Sequence, residues 1–267
     1  NMLLREFYEG KVFLAQGMEF QEDGEFEEIY FEEIAQYFPL CDDFGPMRFC
    51  EIIKFYHTVN EAIDRCKSKK IAISVQEDSR REFTNAIFLS GCFLMIKQDL
   101  PSDAVVKHFG WVDKSVAERF RDASFTTPDF GLSLADCWRA LERAMVMGWI
   151  KKPSPSKPAI WGKYNLAEYD HYDNPLNGDL HVVVPGKFIA LRGPKDLNGN
   201  NYRDSKEGFR EFSPNYYIPI LRAQNVAAVV RLNESEYDAD AFRKGGIEHH
   251  DLEFDDCTSP PHHITEA

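Results

Sequence analysis

The sequence predicts an α/β protein, and three stretches carry that prediction. KVFLA (11–15) and IAISV (71–75) are short runs that read as buried strands. The second is followed by FTNAIFLSGCFLMI (83–96), which is long, apolar and tolerant of glycine and reads as a buried helix. In the second half, VAAVVRLN (226–233) reads as a buried strand, ADAFRKGG (239–246) as a short helix closed by glycines, and IEHHDLEF (247–254) as a strand. Strand, helix and strand with so short a crossover imply parallel pairing.

The other elements follow in chain order. LSLADCWRALERAMVMGWI (132–150) is the clearest amphipathic helix. Leu134, Cys137, Trp138, Leu141 and Met145 recur at i, i+3, i+4 spacing, and Ser133 or Asp136 is placed to cap it. KKPSPSKPAIWG (151–162) carries three prolines among lysines and serines and reads as a linker. In NLAE, Asn165 and Glu168 stand at N-cap and N3, which starts a short helix ending near Asn174-Pro175. Asn177-Gly178 marks a turn, and HVVVPGKFIALRGP (181–194) supplies two short strands.

Composition narrows the function classes. At 267 residues with 43% apolar content the chain buries one large core or two modest ones. A net charge of −13 argues against a general nucleic-acid binder and fits partners that carry basic residues. The six cysteines (41, 50, 66, 92, 137, 257) form no C-x-x-C pair, which points to a reducing intracellular compartment. IFLSGCFLMI is too short to span a membrane, and NMLLREF lacks the apolar core of a signal peptide. Both ends read as cut: the chain begins at Asn1, and HHITEA reads as the first turn of a longer helix.

One spacing demands a decision. DCWRALER (136–143) contains C-x5-R, the spacing of cysteine-dependent phosphatases. Such a loop holds phosphate on backbone N–H groups converging at a strand-to-helix turn, which favours glycine. The stretch between Cys137 and Arg143 has no glycine and consists of good helix formers. On a continuous helix, six residues turn well past one revolution, so the thiol and the guanidinium face different ways. Cys137 therefore reads as a buried helix cysteine and Arg143 as a surface arginine.

AAVVRLNESEYDADAFRKGGIEHHDLEFDDCTSPP strongly resembles the approach to the active site in the Cdc-fourteen family of dual-specificity protein phosphatases. The resemblance extends through YNLAEYDHYDNPLNGDLHVVVPGKFIALRGP. In the first half it covers CDDFGPM, TNAIFLSGCFLMI, RFRDASF and LSLADCWRALERAMVMGW. It implies tandem dual-specificity-phosphatase-like domains: a non-catalytic N-terminal domain over 1–150, a linker and linker helix over 151–176, and the N-terminal part of a catalytic domain over 177–267. The family carries its nucleophile in an H-C-x-x-G-x-x-R loop, and no such stretch occurs in these 267 residues.

The resemblance also assigns roles. Asp256 in FDDCTSPP matches the family's general acid, with Asp255 one place early. The chain departs from the family at Cys257, where Gly is more usual. Asp170, Asp173 and Asp179 match the acidic residues that line a groove between the family's domains and hold a basic side chain after a phosphorylated Ser-Pro. Asp170 and Asp173 stand at i, i+3, so both carboxylates are expected to reach one Lys or Arg.

Two other clusters are set aside. DLNGNNYRDSKE (196–207) places Asp196, Asn198, Asn200, Asp204 and Glu207 at the ligand positions of a calcium loop. Asn201 stands where glycine is needed and no helix precedes it, so the segment reads as a disordered surface insertion. His249, His250, Asp251, Asp255, His262 and His263 could be read as a metal cluster, but adjacent histidines on a strand point to opposite faces.

The expectation is a protein phosphatase of tyrosine and serine/threonine specificity, acting on phosphoserine-proline sites with a nearby basic residue through a phosphocysteine intermediate. No metal, organic cofactor, nucleic acid or membrane is implied, and the family implies nucleus and cytoplasm. The chain by itself is expected to be inactive. The alternative is a pseudophosphatase or a phosphopeptide- or basic-peptide-binding module that keeps the groove without the chemistry.

Overall fold

The structure, a computed structural model, describes all residues except 1, 40, 124–126, 129, 207, 257 and 267. The chain divides into two compact units, Asn1–Ser154 and Pro155–Ala267.

In the first unit, β1 (Leu3–Tyr8) and β2 (Val12–Gln16) form an antiparallel hairpin. Its turn places Glu9 and Gly10 at φ 46° and 62°, the paired left-handed conformation that matches strand twist. β3 (Phe26–Tyr30) leads through α1 (Phe31–Ile34) and α2 (Phe49–Arg65) to β4 (Lys70–Val75). The sheet order is β1-β2-β4-β3, with β4 parallel to both neighbours. Flanked on both edges, β4 buries Ile71 through Val75 without alternation, as interior parallel strands do.

α3 (Arg80–Gln98) is the helix expected over 83–96, and every residue in that range is buried. Its polar residues are accommodated inside: Thr84 and Ser90 donate to the carbonyls of Arg80 and Ala86, and Asn85 Nδ2 donates to Gly45 O. α4 (Ser102–His108) and α5 (Leu134–Val146) complete the unit. At α5 the cap is reciprocal: Ser133 Oγ accepts from Asp136 N at 3.2 Å, while Asp136 Oδ2 accepts from Ser133 N at 2.9 Å. The helix stops at Val146, short of the expected Ile150. α2 adds an element that the pattern above does not pick out, although its buried Ile52, Phe55, Val59 and Ala62 follow helical spacing.

The second unit begins with β5 (Ile160–Trp161) paired to β6 (Tyr164–Asn165). Trp161 is buried, so the last residues of the stretch read as a linker are structured. α6 (Leu166–Asp173) starts where the sequence says, with Asn165 Oδ1 accepting from Glu168 N. β7 (Leu180–Val184) and β8 (Phe188–Leu191) pair antiparallel. β9 (Tyr202–Asp204) and β10 (Arg210–Phe212) form a second ribbon, ahead of α7 (Pro214–Ala223). β11 (Ala228–Arg231) runs through α8 (Asp240–Lys244) to the parallel strand β12 (Glu248–Asp251), and α9 (His262–Thr265) follows. The core gathers Leu180, Phe212, Tyr217, Leu221, Val229 and Phe242 from β7, β10, α7, β11 and α8.

Two expectations are corrected. The segment 196–207 is not structureless: its residues 202–204 form β9 of the β9–β10 ribbon, where Asp204 binds Arg210 at 2.6 Å and Arg203 binds Glu211 at 2.6 Å. Asp204 is thus committed to an arginine, while Glu207 lies outside the described residues. β11 is buried on one face only, since Val230 is 48% exposed. No helix among the described residues is long and apolar enough to cross a membrane.

Candidate functional site

Cys137 lies buried on α5, and Arg143 is exposed six residues further along the same helix. Burial, followed by the charge of Asp136, pushes the Cys137 thiol up to about 11. In the first unit, the turn from β4 into α3 contains no cysteine. The arginines that open α3 are already paired: Arg80 binds Glu118 at 2.5 Å, and Arg81 binds Asp42 at 2.9 Å.

Asp256 is placed by the parallel pair β11–β12. Beyond β12 the chain stays bonded to the end of β11, with Leu252 N donating to Arg231 O at 2.9 Å and Phe254 N to Leu232 O at 3.1 Å. The chain then leaves the sheet at Asp255 and Asp256, both exposed, and Thr258 Oγ1 donates to Asp255 O at 2.5 Å. Cys257, the departure from the family pattern, lies outside the described residues.

On β11 and β12, the strands that lead to this turn, a polar network surrounds the buried Arg231 and His249. Arg231 Nε donates to Asp251 Oδ1 at 2.7 Å and Nη1 to Tyr237 O at 2.8 Å, and the guanidinium sits 4.7 Å from the Tyr237 ring centre. Tyr237 Oη and His249 Nε2 are 2.8 Å apart, and the His249 ring stacks on Phe242. Burial holds His249 below its ordinary pKa, favouring the neutral ring. His250 faces the other way and is exposed. Two of the residues weighed as metal ligands are therefore divided between faces, as alternation on a strand dictates. Among the described residues, no group of three His, Cys, Asp or Glu side chains is placed to hold a metal ion. Arg231 and Tyr237 were not singled out in the sequence, where each looks like an ordinary strand or loop residue.

Asp170, Asp173 and Asp179, the three aspartates singled out in the sequence, are not equivalent. Asp170 is exposed on α6. Asp173, the last residue of α6, is buried, and its Oδ1 lies 2.5 Å from His181 Nδ1. Asp179 Oδ1 lies 3.0 Å from Nε2 of the same ring. The structure thus joins Asp173 to Asp179 through His181, and it separates Asp173 from Asp170 by burial. The turn between them is fixed locally and at long range. Asn174 Oδ1 accepts from Leu176 N, and Gly178 and Asp179 adopt φ 136° and 48°. Tyr216 and Tyr217 of α7 donate their hydroxyls to Asn177 O at 2.8 Å and Gly178 O at 2.7 Å. The hydrogen bond from His181 holds the Asp179 carboxyl below its usual range, against the opposing effect of burial.

These features are those of a phosphatase-like α/β protein, and comparison with known proteins makes the class definite. A family model described as dual specificity protein phosphatase, N-terminal half, matches residues 6–144. The dual specificity protein phosphatase CDC14C of Symphalangus syndactylus is 31% identical over 227 residues, covering 84% of this chain and 44% of the relative. CDC14C of Homo sapiens is 31% identical over 227 residues, covering 84% and 47%. The tyrosine-protein phosphatase CDC14 of Saccharomyces cerevisiae is 28% identical over 258 residues, covering 96% and 45%. The chain belongs to the CDC14 family of dual-specificity protein phosphatases. It spans less than half the length of these relatives.

Proposed function

We propose that this chain is part of a dual-specificity phosphatase that hydrolyses phosphoserine-proline sites followed by a basic residue. The observation that carries the reading is the delivery of Asp256 to an exposed turn directly off the end of a parallel β11–β12 pair, tied down by Phe254 N to Leu232 O. In the reaction a cysteine thiolate attacks phosphorus. The S–P bond forms as the P–O bond to serine breaks, and the Asp256 carboxyl passes its proton to the departing oxygen. Water then attacks the phosphocysteine, the Asp256 carboxylate takes its proton, and the S–P bond breaks to release phosphate and thiolate. The nucleophile and the phosphate-binding arginine would come from an H-C-x-x-G-x-x-R loop, which these 267 residues do not contain.

Sheet topology supports the same reading. In the first unit, β4 lies between β2 and β3 and leads into the central helix. In the second unit, β7–β8 and β11–β12 remain separate two-stranded ribbons among the described residues. Val230 and Phe188 lie exposed on them. Asp170, Asp173 and Asp179 form the acidic patch for the basic residue of the substrate.

The 267-residue chain is expected to show no vanadate-sensitive hydrolysis of an aryl phosphate, and turnover by the purified chain would sink the reading. A chain extended by an H-C-x-x-G-x-x-R loop is expected to gain that vanadate-sensitive activity. In an enzyme that includes it, Asp256→Asn should lower kcat about 10²-fold or more, and more steeply for phosphoserine than for a good aryl leaving group.

A further inference from the structure

We propose that Ser154 is a phosphorylation site for a proline-directed protein kinase, read through Pro155 and Lys157. The product is a phosphoserine-proline with a lysine two residues beyond the proline. It has the chemical form of the substrates proposed above, yet the site stands on its own residues and does not depend on that reading.

The pattern singles out one serine. Serine or threonine precedes proline at Thr127, Ser154, Ser213 and Ser259. Three residues on stand Phe130, Lys157, Tyr216 and His262 respectively, so Ser154 alone is followed by a lysine in that register. Ser213 is 4% exposed and stands at the N-cap of α7, which keeps it out of a kinase cleft while the chain is folded. Every residue from Ser154 to Ile160 is exposed, and Ser154 belongs to no helix or strand. It also lies where the two units divide. Lys152, Ser154 and Lys157 each precede a proline, a step that disfavours helix and favours extended backbone. Backbone of that kind lies along a cleft with little reorganisation.

Proline and charge contribute differently. Pro155 offers no N–H, so a kinase that needs a backbone donor after its target serine is excluded, and one that seats the ring is favoured. Lys151, Lys152 and Lys157 flank the serine, and no acidic residue occurs between Glu142 and Glu168. In a chain of net charge −13 this stretch is locally basic and complements an acidic cleft. Ser156 supplies an internal contrast: it is also exposed, but a lysine follows it in place of a proline. In the transfer, Ser154 Oγ attacks the γ-phosphorus of MgATP. The new O–P bond forms as the bond to the β-phosphate oxygen breaks, ADP leaves, and the hydroxyl proton passes to the kinase's catalytic base. The phosphate brings about −1.5 to −2 charges at pH 7 among the three lysines. Lys152 Nζ is 3.5 Å from Asp99 Oδ1 just past α3, and a phosphate two residues away competes with that carboxylate for it.

The test incubates the folded 267-residue chain with a cyclin-dependent kinase and MgATP and maps the phosphate by mass spectrometry over time. Ser154 should be modified first, with Ser156 and the buried Ser213 left unmodified. Ser154→Ala should remove that signal. Lys157→Ala should slow modification of Ser154 about tenfold, the worth of one charge-assisted contact, and Lys157→Arg should restore it. All of these side chains are exposed, so thermal unfolding of the variants should match wild type. No phosphate on Ser154, earlier modification of Thr127, Ser156 or Ser259, or a rate at Ser154 that Lys157→Ala leaves unchanged would each overturn the proposal.

Discussion

Gly91 of α3 and Trp138 of α5 approach so closely that a β-carbon on Gly91 would lie 2.3 Å from Trp138 Nε1. The indole also donates to Phe88 O at 3.0 Å and stacks on Phe109 with ring centres 5.3 Å apart. Trp138 is thus locked on three sides, and the missing side chain at position 91 lets the two helices meet.

Gly91→Ala should therefore destabilise the protein even though alanine is the better helix former. The propensity gain is about 1 kcal/mol. Forcing a methyl into a rigid indole in a closed core costs roughly 1–3 kcal/mol, and at this separation the upper end applies. Thermal unfolding should show a midpoint several degrees lower. A midpoint equal to or above wild type would show that α3 and α5 do not pack this way.

The Cys137 thiol, pushed up to about 11, holds its proton at neutral pH and supplies almost no thiolate. Mass-spectrometric mapping of iodoacetamide labelling should find Cys137 slower than the partly exposed Cys41, Cys50 and Cys66. Cys137→Ser should leave unchanged the phosphatase activity of an enzyme that includes the nucleophile loop. Rapid alkylation of Cys137 at neutral pH would contradict its placement.

His249 makes stability depend on pH. Its folded-state pKa lies below the unfolded value of 6.5, so the unfolded chain takes up the proton first. The cost is absent above the unfolded pKa and grows as pH falls from there toward the folded value. Denaturant midpoints should drop between about pH 7 and pH 5. His249→Gln, which keeps a group toward the Tyr237 hydroxyl, should be less stable overall but flatter across that range. An unchanged slope would show that another group carries the dependence.

Much of the fold could be read along the chain because its signals are local. The N-caps at Ser133 and Asn165, the glycines closing α8 and the strand–helix–strand alternation around it are set by residues within a few positions of one another. Other elements are less legible. α7 carries Pro219 inside, which argues against a helix from sequence alone, although Pro214 at its start is compatible with one. The β9–β10 ribbon is polar on both strands and held by cross-strand ion pairs, so it shows no alternation.

By itself the sequence determined the α/β class, the family, the improbability of Cys137 as a nucleophile, and the chemical types available at Asp256 and in the acidic patch. Only the tertiary structure decided which of those acids meet. Asp170 and Asp173 share a helix and look like partners, yet Asp173 turns inward to His181 and joins Asp179 instead. That choice depends on a left-handed turn held by two tyrosine hydroxyls that lie 39 residues further along the chain. Helical spacing places side chains within one element, whereas burial and long-range hydrogen bonds decide which of them face water.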